Sequence, residues 1–175
     1  IPCEMCIRDS PPPACASLRQ AQPPASLRGM NDDLRERFES LYRATDYCVE
    51  DARLRCTLRI DEPCEALSNW LQAEGYDSAA FITACNPHSE TRTEAENCEA
   101  LARLQSAVEA LGLPALNAVG RAQVADHHEP SLLVPGLRLE ATHALMRRFQ
   151  QNAFVWFERA AGRARLEWSQ LRPDQ

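Results

Sequence analysis

The chain has 175 residues, of which 45% are hydrophobic and 25% charged, with a formal net charge of −6. This composition is typical of one globular domain, and no apolar run reaches the ~20 residues that a membrane helix needs. The acidic balance argues against a nucleic-acid binder, and the absence of lysine excludes Schiff-base chemistry and lysine-dependent phosphate motifs. We therefore expect a soluble, cytoplasmic protein without a membrane partner.

The first 30 residues differ from the rest in composition. Six of the twelve prolines and three of the eight cysteines lie before residue 30. We therefore predict a disordered, proline-rich tail over residues 1–30, followed by a single domain over residues 31–170. Residues 1–10 resemble a translated sequencing adapter, which makes the tail partly artefactual. Cys3 and Cys6 have the spacing of half a zinc site, but no second pair completes it, so we predict no metal and no cofactor.

The first predicted elements are a helix, a strand and a second helix. The first helix begins after a cap at Asn31 or Asp32. Residues 53–60 alternate apolar side chains with arginine and threonine, which predicts a half-buried strand paired with residues 47–49. The second helix lies within residues 61–75 and ends at a glycine.

Strands and helices alternate in the rest of the chain. Residues 78–84 are apolar on both faces, which predicts a central strand, and Thr93 and Glu96 form a capping box at the next helix. The later predicted elements are two strands, a helix and a hairpin, at residues 116–119, 132–134, 139–149, 153–157 and 164–168. This order predicts an α/β (α+β) domain with a mixed central sheet, parallel in the middle with antiparallel edges and flanked by helices.

Four sequence blocks resemble those of a known family. The blocks are residues 42–47 (YRATDY), 81–87 (FITACNP), 129–134 (EPSLLV) and 147–156 (RRFQQNAFVW). In order and spacing they are similar to the bacterial domain of unknown function 3293 family, over about residues 42–168. That family has no established activity, so the resemblance implies the fold and no reaction.

The candidate site is the loop that follows the predicted central strand and leads to the capped helix. Ligands bind at such strand ends in α/β sheets, and free backbone amides at a helix start favour anions. Thr83, Asn86 and Ser89 supply hydroxyl and amide groups to this loop.

Arg138 completes the predicted site. If strand residues 78–84 and 132–134 run parallel, their carboxyl ends meet, which brings Arg138 close to Asn86. A guanidinium group at that place holds an anion. We therefore predict non-catalytic binding of a small polar or anionic ligand, or of a protein partner, at residues 83, 86, 89 and 138.

Other interpretations stay open. The same loop suits an enzyme of unassigned chemistry with His88 or Cys85 as its reactive group, although no paired carboxylates or Ser-His-Asp order identify catalytic residues. Asn86 and Ser89 also suit a purely structural role, in which their side chains satisfy the turn backbone. A weak nucleic-acid contact through the C-terminal arginines is disfavoured by the net charge.

Overall fold

Seven strands form one sheet in the computed structural model, which describes residues 35–36, 38–124 and 127–169. In chain order they are β1 (Thr45–Glu50), β2 (Arg55–Leu58), β3 (Ser78–Ile82), β4 (Leu116–Ala122), β5 (His128–Pro135), β6 (Ala153–Glu158) and β7 (Arg163–Trp168). Their order across the sheet is β2-β1-β4-β5-β3-β6-β7, and every neighbouring pair is antiparallel. Apart from Arg35, the described residues belong to one unit that starts at Glu36.

Helices pack on both faces of this sheet. They are the helical segment 38–43, α1 (Glu65–Glu74), α2 (Glu94–Ala110) and α3 (Leu139–Arg148), and a short 3-10 helix, Pro87–Ser89, follows β3. The predicted capping box at α2 is confirmed, because Thr93 Oγ1 accepts from the Glu96 N–H at 3.3 Å and Glu96 Oε2 accepts from the Thr93 N–H at 2.8 Å. Among the described residues, no helix has the length and apolar character to cross a membrane. The predicted tail and the cap at residue 31 or 32 lie outside the described residues.

The predicted parallel middle of the sheet is wrong. Strand β3 pairs with β5 and with β6, and it is antiparallel to both. Helix α2 links β3 to β4, and α3 links β5 to β6, and each link joins strands that run in the same direction. However, each link skips one position in the sheet, which an antiparallel strand fills. This is the split β-α-β arrangement, and its order of elements along the chain is the same as that of a parallel sheet.

The sheet curls so that the chain just after one edge strand, β2, reaches the other edge strand, β7. Ile60, just after β2, bridges Ala164 of β7, and Pro63 bridges Arg163. We call the surface inside this half-barrel the inner face. The inner face shares one buried cluster with Leu67 of α1, whereas α2 and α3 pack against the outer face of the central strands.

Candidate functional site

A cavity of about 490 Å³ opens on the inner face and borders the buried cluster under α1, with which it shares Tyr47, Phe81 and Val155. Along β5, Leu133 belongs to that cluster, whereas Ser131, two residues earlier and on the same face, lines the cavity. Along β6, Phe157 belongs to the cluster and Ala153 lines the cavity. Gly120 of β4 completes the set of small lining residues. The cavity therefore lies where the inward-facing side chains of β5 and β6 change from large to small.

Aromatic and aliphatic side chains form the walls of the cavity and its rim. Tyr47 and Phe81 pack edge to face with ring centroids 5.1 Å apart, and Tyr42 of the helical segment 38–43 lies on another wall. At the rim, Leu41 is 58% exposed and Val124 is 92% exposed. Concave apolar surfaces of this size are typical of small-molecule sites.

Glu129 brings a carboxylate into the cavity. It precedes Ser131 by two residues on β5 and therefore faces inward. Its side chain is 28% exposed, and its Oε1 accepts a hydrogen bond from Asn86 Nδ2 at 2.6 Å and lies 3.5 Å from Nε2 of the exposed His127. None of the described lining residues is arginine, and the chain has no lysine, so the carboxylate gives this part of the lining a negative charge.

Asn86 holds the predicted loop against α2. Its backbone has φ +48°, a left-handed conformation that asparagine tolerates better than most residues. Its Oδ1 accepts from the Arg92 N–H at 3.0 Å and from Asn97 Nδ2 at 3.1 Å, and its own N–H donates to Asn97 Oδ1 at 2.9 Å. Its Nδ2 is the group that donates to Glu129. One side chain therefore both closes the loop and orients the carboxylate.

Thr83 and Ser89 also line the cavity, and both hydroxyls have protein partners. Thr83 Oγ1 donates to the backbone oxygen of Pro130 at 2.9 Å. Ser89 Oγ accepts from Asn152 Nδ2 at 3.0 Å. These two residues therefore shape the wall of the cavity.

Arg138 lies at the other end of the sheet from Asn86. Because β3 and β5 are antiparallel, Gly136 donates its N–H to the oxygen of Ser78, at the start of β3, over 2.9 Å. Arg138 follows as the residue that precedes α3. The prediction that Arg138 approaches Asn86 is therefore wrong, because it assumed that β3 and β5 are parallel. The other three predicted residues, Thr83, Asn86 and Ser89, line the cavity.

Cys85 and His88, the two residues considered for catalysis, do not form a nucleophile paired with a base. Cys85 lines the cavity, but its Sγ donates to the oxygen of Pro130 at 3.5 Å, and burial raises the pKa of the thiol. His88 is exposed and is not among the described lining residues. Burial also raises the pKa of the phenols of Tyr42 and Tyr47. The thiol and both phenols therefore stay neutral at neutral pH.

Metal-binding side chains are not clustered in the described part of the chain. Within residues 35–36, 38–124 and 127–169, no group of three His, Cys, Asp or Glu side chains is arranged to hold a metal ion.

Sequence reasoning missed Glu129 as a site residue. The predicted strand began at residue 132, whereas β5 begins at His128 and includes Glu129. The available signal was the alternation of Glu129, Ser131 and Leu133, which puts a carboxylate on the inner face once the longer strand is recognised.

Comparison with known proteins finds one family model that matches part of the chain. The family described as protein of unknown function (DUF3293) has a model that matches residues 82–154, from the end of β3 into β6. No curated protein and no solved structure matches the chain. The matched region contains both Asn86 and Glu129. It confirms the resemblance seen in the sequence: residues 82–154 are similar to the DUF3293 family, whose function is unknown.

Proposed function

We propose that the domain is a binding module for a small, largely apolar molecule, which it holds in the cavity of the inner face without transforming it. The observation that carries this proposal is the cavity itself, because its volume of about 490 Å³ lies within the range of roughly 300–1,000 Å³ that ligand pockets occupy. Its aromatic walls and exposed apolar rim favour burial of apolar surface from a ligand.

The polar groups of the lining support binding rather than reaction. The thiol of Cys85 donates to a backbone oxygen, and the hydroxyl of Tyr47 donates to the backbone oxygen of Tyr42 at 2.9 Å. Such groups form hydrogen bonds within the protein and orient the walls of the cavity.

The anionic ligand expected from the sequence is not part of this proposal, because Arg138 is distant from the cavity and Glu129 is acidic. A protein partner, the cytoplasmic location and a bacterial source stay predictions.

A neutral fluorescent probe tests the proposal. N-Phenyl-1-naphthylamine emits weakly in water and strongly in apolar surroundings, so its emission should rise and saturate when the full chain is added. Gly120→Val should abolish this rise, because a Cβ at residue 120 has ordinary contacts, the nearest being Thr45 Cγ2 at 3.7 Å, and the added methyl groups enter the cavity.

The matched control is Asn117→Val. Asn117 is on the same strand as Gly120 but is exposed on the opposite face, so this variant should bind the probe like the wild type. If Gly120→Val fails to fold, Ala153→Val provides the same obstruction from β6. Probe emission that does not saturate, or that folded cavity-filling variants leave unchanged, contradicts the proposal.

A further inference from the structure

The charge in the cavity restricts which small molecule fits. This step rests on the proposed function, and it concerns the part of the ligand that faces Glu129. A carboxylate in a pocket with apolar walls loses hydration when a ligand enters, and this loss is costly unless the ligand returns a positive charge or a hydrogen-bond donor. None of the described lining residues is an arginine that does so from the protein side.

The carboxylate of Glu129 is held with one oxygen available. Its Oε1 takes the hydrogen bond from Asn86 Nδ2 and is the oxygen near His127. Asn86 is itself fixed at the oxygen end of its amide, because Oδ1 accepts from the Arg92 N–H and from Asn97 Nδ2. Within the described part of the chain, no group donates a hydrogen bond to Glu129 Oε2, and the side chain keeps 28% exposure. A donor that enters the cavity therefore meets a pre-oriented acceptor.

The aromatic walls favour a cation at the same place. Tyr42, Tyr47 and Phe81 line the cavity together with Glu129, and Tyr47 and Phe81 hold each other in an edge-to-face pair. Aromatic faces attract cations, and the attraction increases in a site shielded from water. Burial is the main cause of the raised pKa of Tyr42 and of Tyr47, and the negative charge of Glu129 is a smaller contribution to both.

We propose that the cavity binds an organic ammonium ion, in which a protonated amine donates to Glu129 and an attached apolar body contacts the aromatic walls.

Three probes of similar size and different charge test this proposal. They are 2-phenylethylamine, 2-phenylethanol and 3-phenylpropionate, titrated into the full chain at pH 7 by isothermal calorimetry. The amine should bind at least about tenfold more tightly than the alcohol, and the carboxylate should bind most weakly. Glu129→Gln should remove the advantage of the amine and leave the affinity for the alcohol nearly unchanged.

Two further variants separate charge at the site from charge elsewhere. Glu129→Asp keeps the carboxylate and should retain a preference for the amine. Glu50→Gln removes an exposed carboxylate that pairs with Arg121 and does not line the cavity, so it should bind all three probes like the wild type. Urea unfolding of each variant confirms that the compared proteins are folded.

The outcomes distinguish this inference from the proposed function. If the alcohol binds, Gly120→Val abolishes its binding and the amine has no advantage, the ammonium proposal is wrong and the binding function stands. Equal weakening of all probes by Glu129→Gln also overturns the ammonium proposal. If none of the three probes binds the wild type, the ammonium proposal is wrong, and the emission of N-phenyl-1-naphthylamine decides separately whether the binding function stands.

Discussion

Asn86 uses the two ends of one amide for two purposes. Its Oδ1 fastens the loop to α2, and its Nδ2 holds Glu129 at the cavity. The sequence indicates a polar loop after a strand, and this is enough to select Asn86. It does not reveal the partners, because Asn97 and Glu129 are 11 and 43 residues away and are brought to Asn86 only by the tertiary fold.

Replacing Asn86 should cost stability as well as binding. Asn86→Ala removes both roles of the amide and puts alanine in a left-handed conformation, so we expect the free energy of unfolding to fall by about 2–3 kcal/mol. Asn86→Gly accepts the backbone conformation, and it should therefore recover about 1 kcal/mol of this loss. Urea unfolding at pH 7 measures both differences. Equal stability of the alanine variant and the wild type would show that the amide does not hold the loop.

Asp51 is a buried carboxylate with a structural role at the turn between β1 and β2. Its two oxygens accept from the N–H of Arg53 at 3.0 Å, from Arg53 Nε at 2.8 Å and Nη2 at 3.2 Å, and from the N–H of Asn117 at 3.1 Å. These donors, with the Arg53 side chain first, hold the pKa of Asp51 well below its ordinary value. The group thereby fastens the β1–β2 turn to the start of β4.

The lowered pKa of Asp51 makes part of the stability depend on pH. A group with a lowered folded-state pKa contributes stability that is present above its unfolded pKa, about 3.9, and is lost as the pH falls toward the folded value. Asp51→Asn should therefore be less stable than the wild type at pH 7 by about 2 kcal/mol. Below about pH 4 this gap should narrow, by at most ~1.4 kcal/mol per pH unit. Unfolding curves at pH 7, 4 and 3 test this, and a gap that is constant across them would contradict it.

Helix α2 shows why some elements are predictable from local sequence. Its capping box needs only Thr93 and Glu96, three residues apart, and both hydrogen bonds form within that segment. Strand pairing has no such local signature, since β3 selects β5 and β6 through contacts across the sheet. The sequence therefore predicts where helices and strands lie much better than which strands are neighbours.

The cap of α2 should contribute measurably to stability. Thr93→Ala removes the acceptor for the Glu96 N–H, and we expect the free energy of unfolding to fall by about 1 kcal/mol. Ser106→Ala is the matched control, because Ser106 lies within the same helix and donates only to the Ala102 oxygen. The control should be neutral or slightly stabilising in urea unfolding. A Thr93→Ala variant that matches this control would show that the box does not stabilise α2.

The curled antiparallel sheet produces the cavity, and this is the part of the molecule that sequence patterns describe least. Element positions follow from periodicity, but the inner face arises only when the two edges approach through Ile60 and Ala164. The small residues Gly120, Ser131 and Ala153 are unremarkable in sequence, and they become a lining only when the sheet order places their strands around one space. The same order carries Arg138 away from Asn86.

A cavity kept for a ligand leaves the free domain less stable than a filled one, and Gly120→Val measures this difference. Valine suits a strand better than glycine, and its methyl groups bury apolar surface in a space where the Cβ has only ordinary contacts. We expect the free energy of unfolding to rise by about 1 kcal/mol while binding of N-phenyl-1-naphthylamine is lost. Asn117→Val, on the exposed face of the same strand, should raise stability less and keep the probe site. A Gly120→Val variant that loses stability and still binds the probe would show that residue 120 does not face the cavity. A gain in stability together with loss of binding indicates that the cavity is maintained for a ligand at the expense of stability.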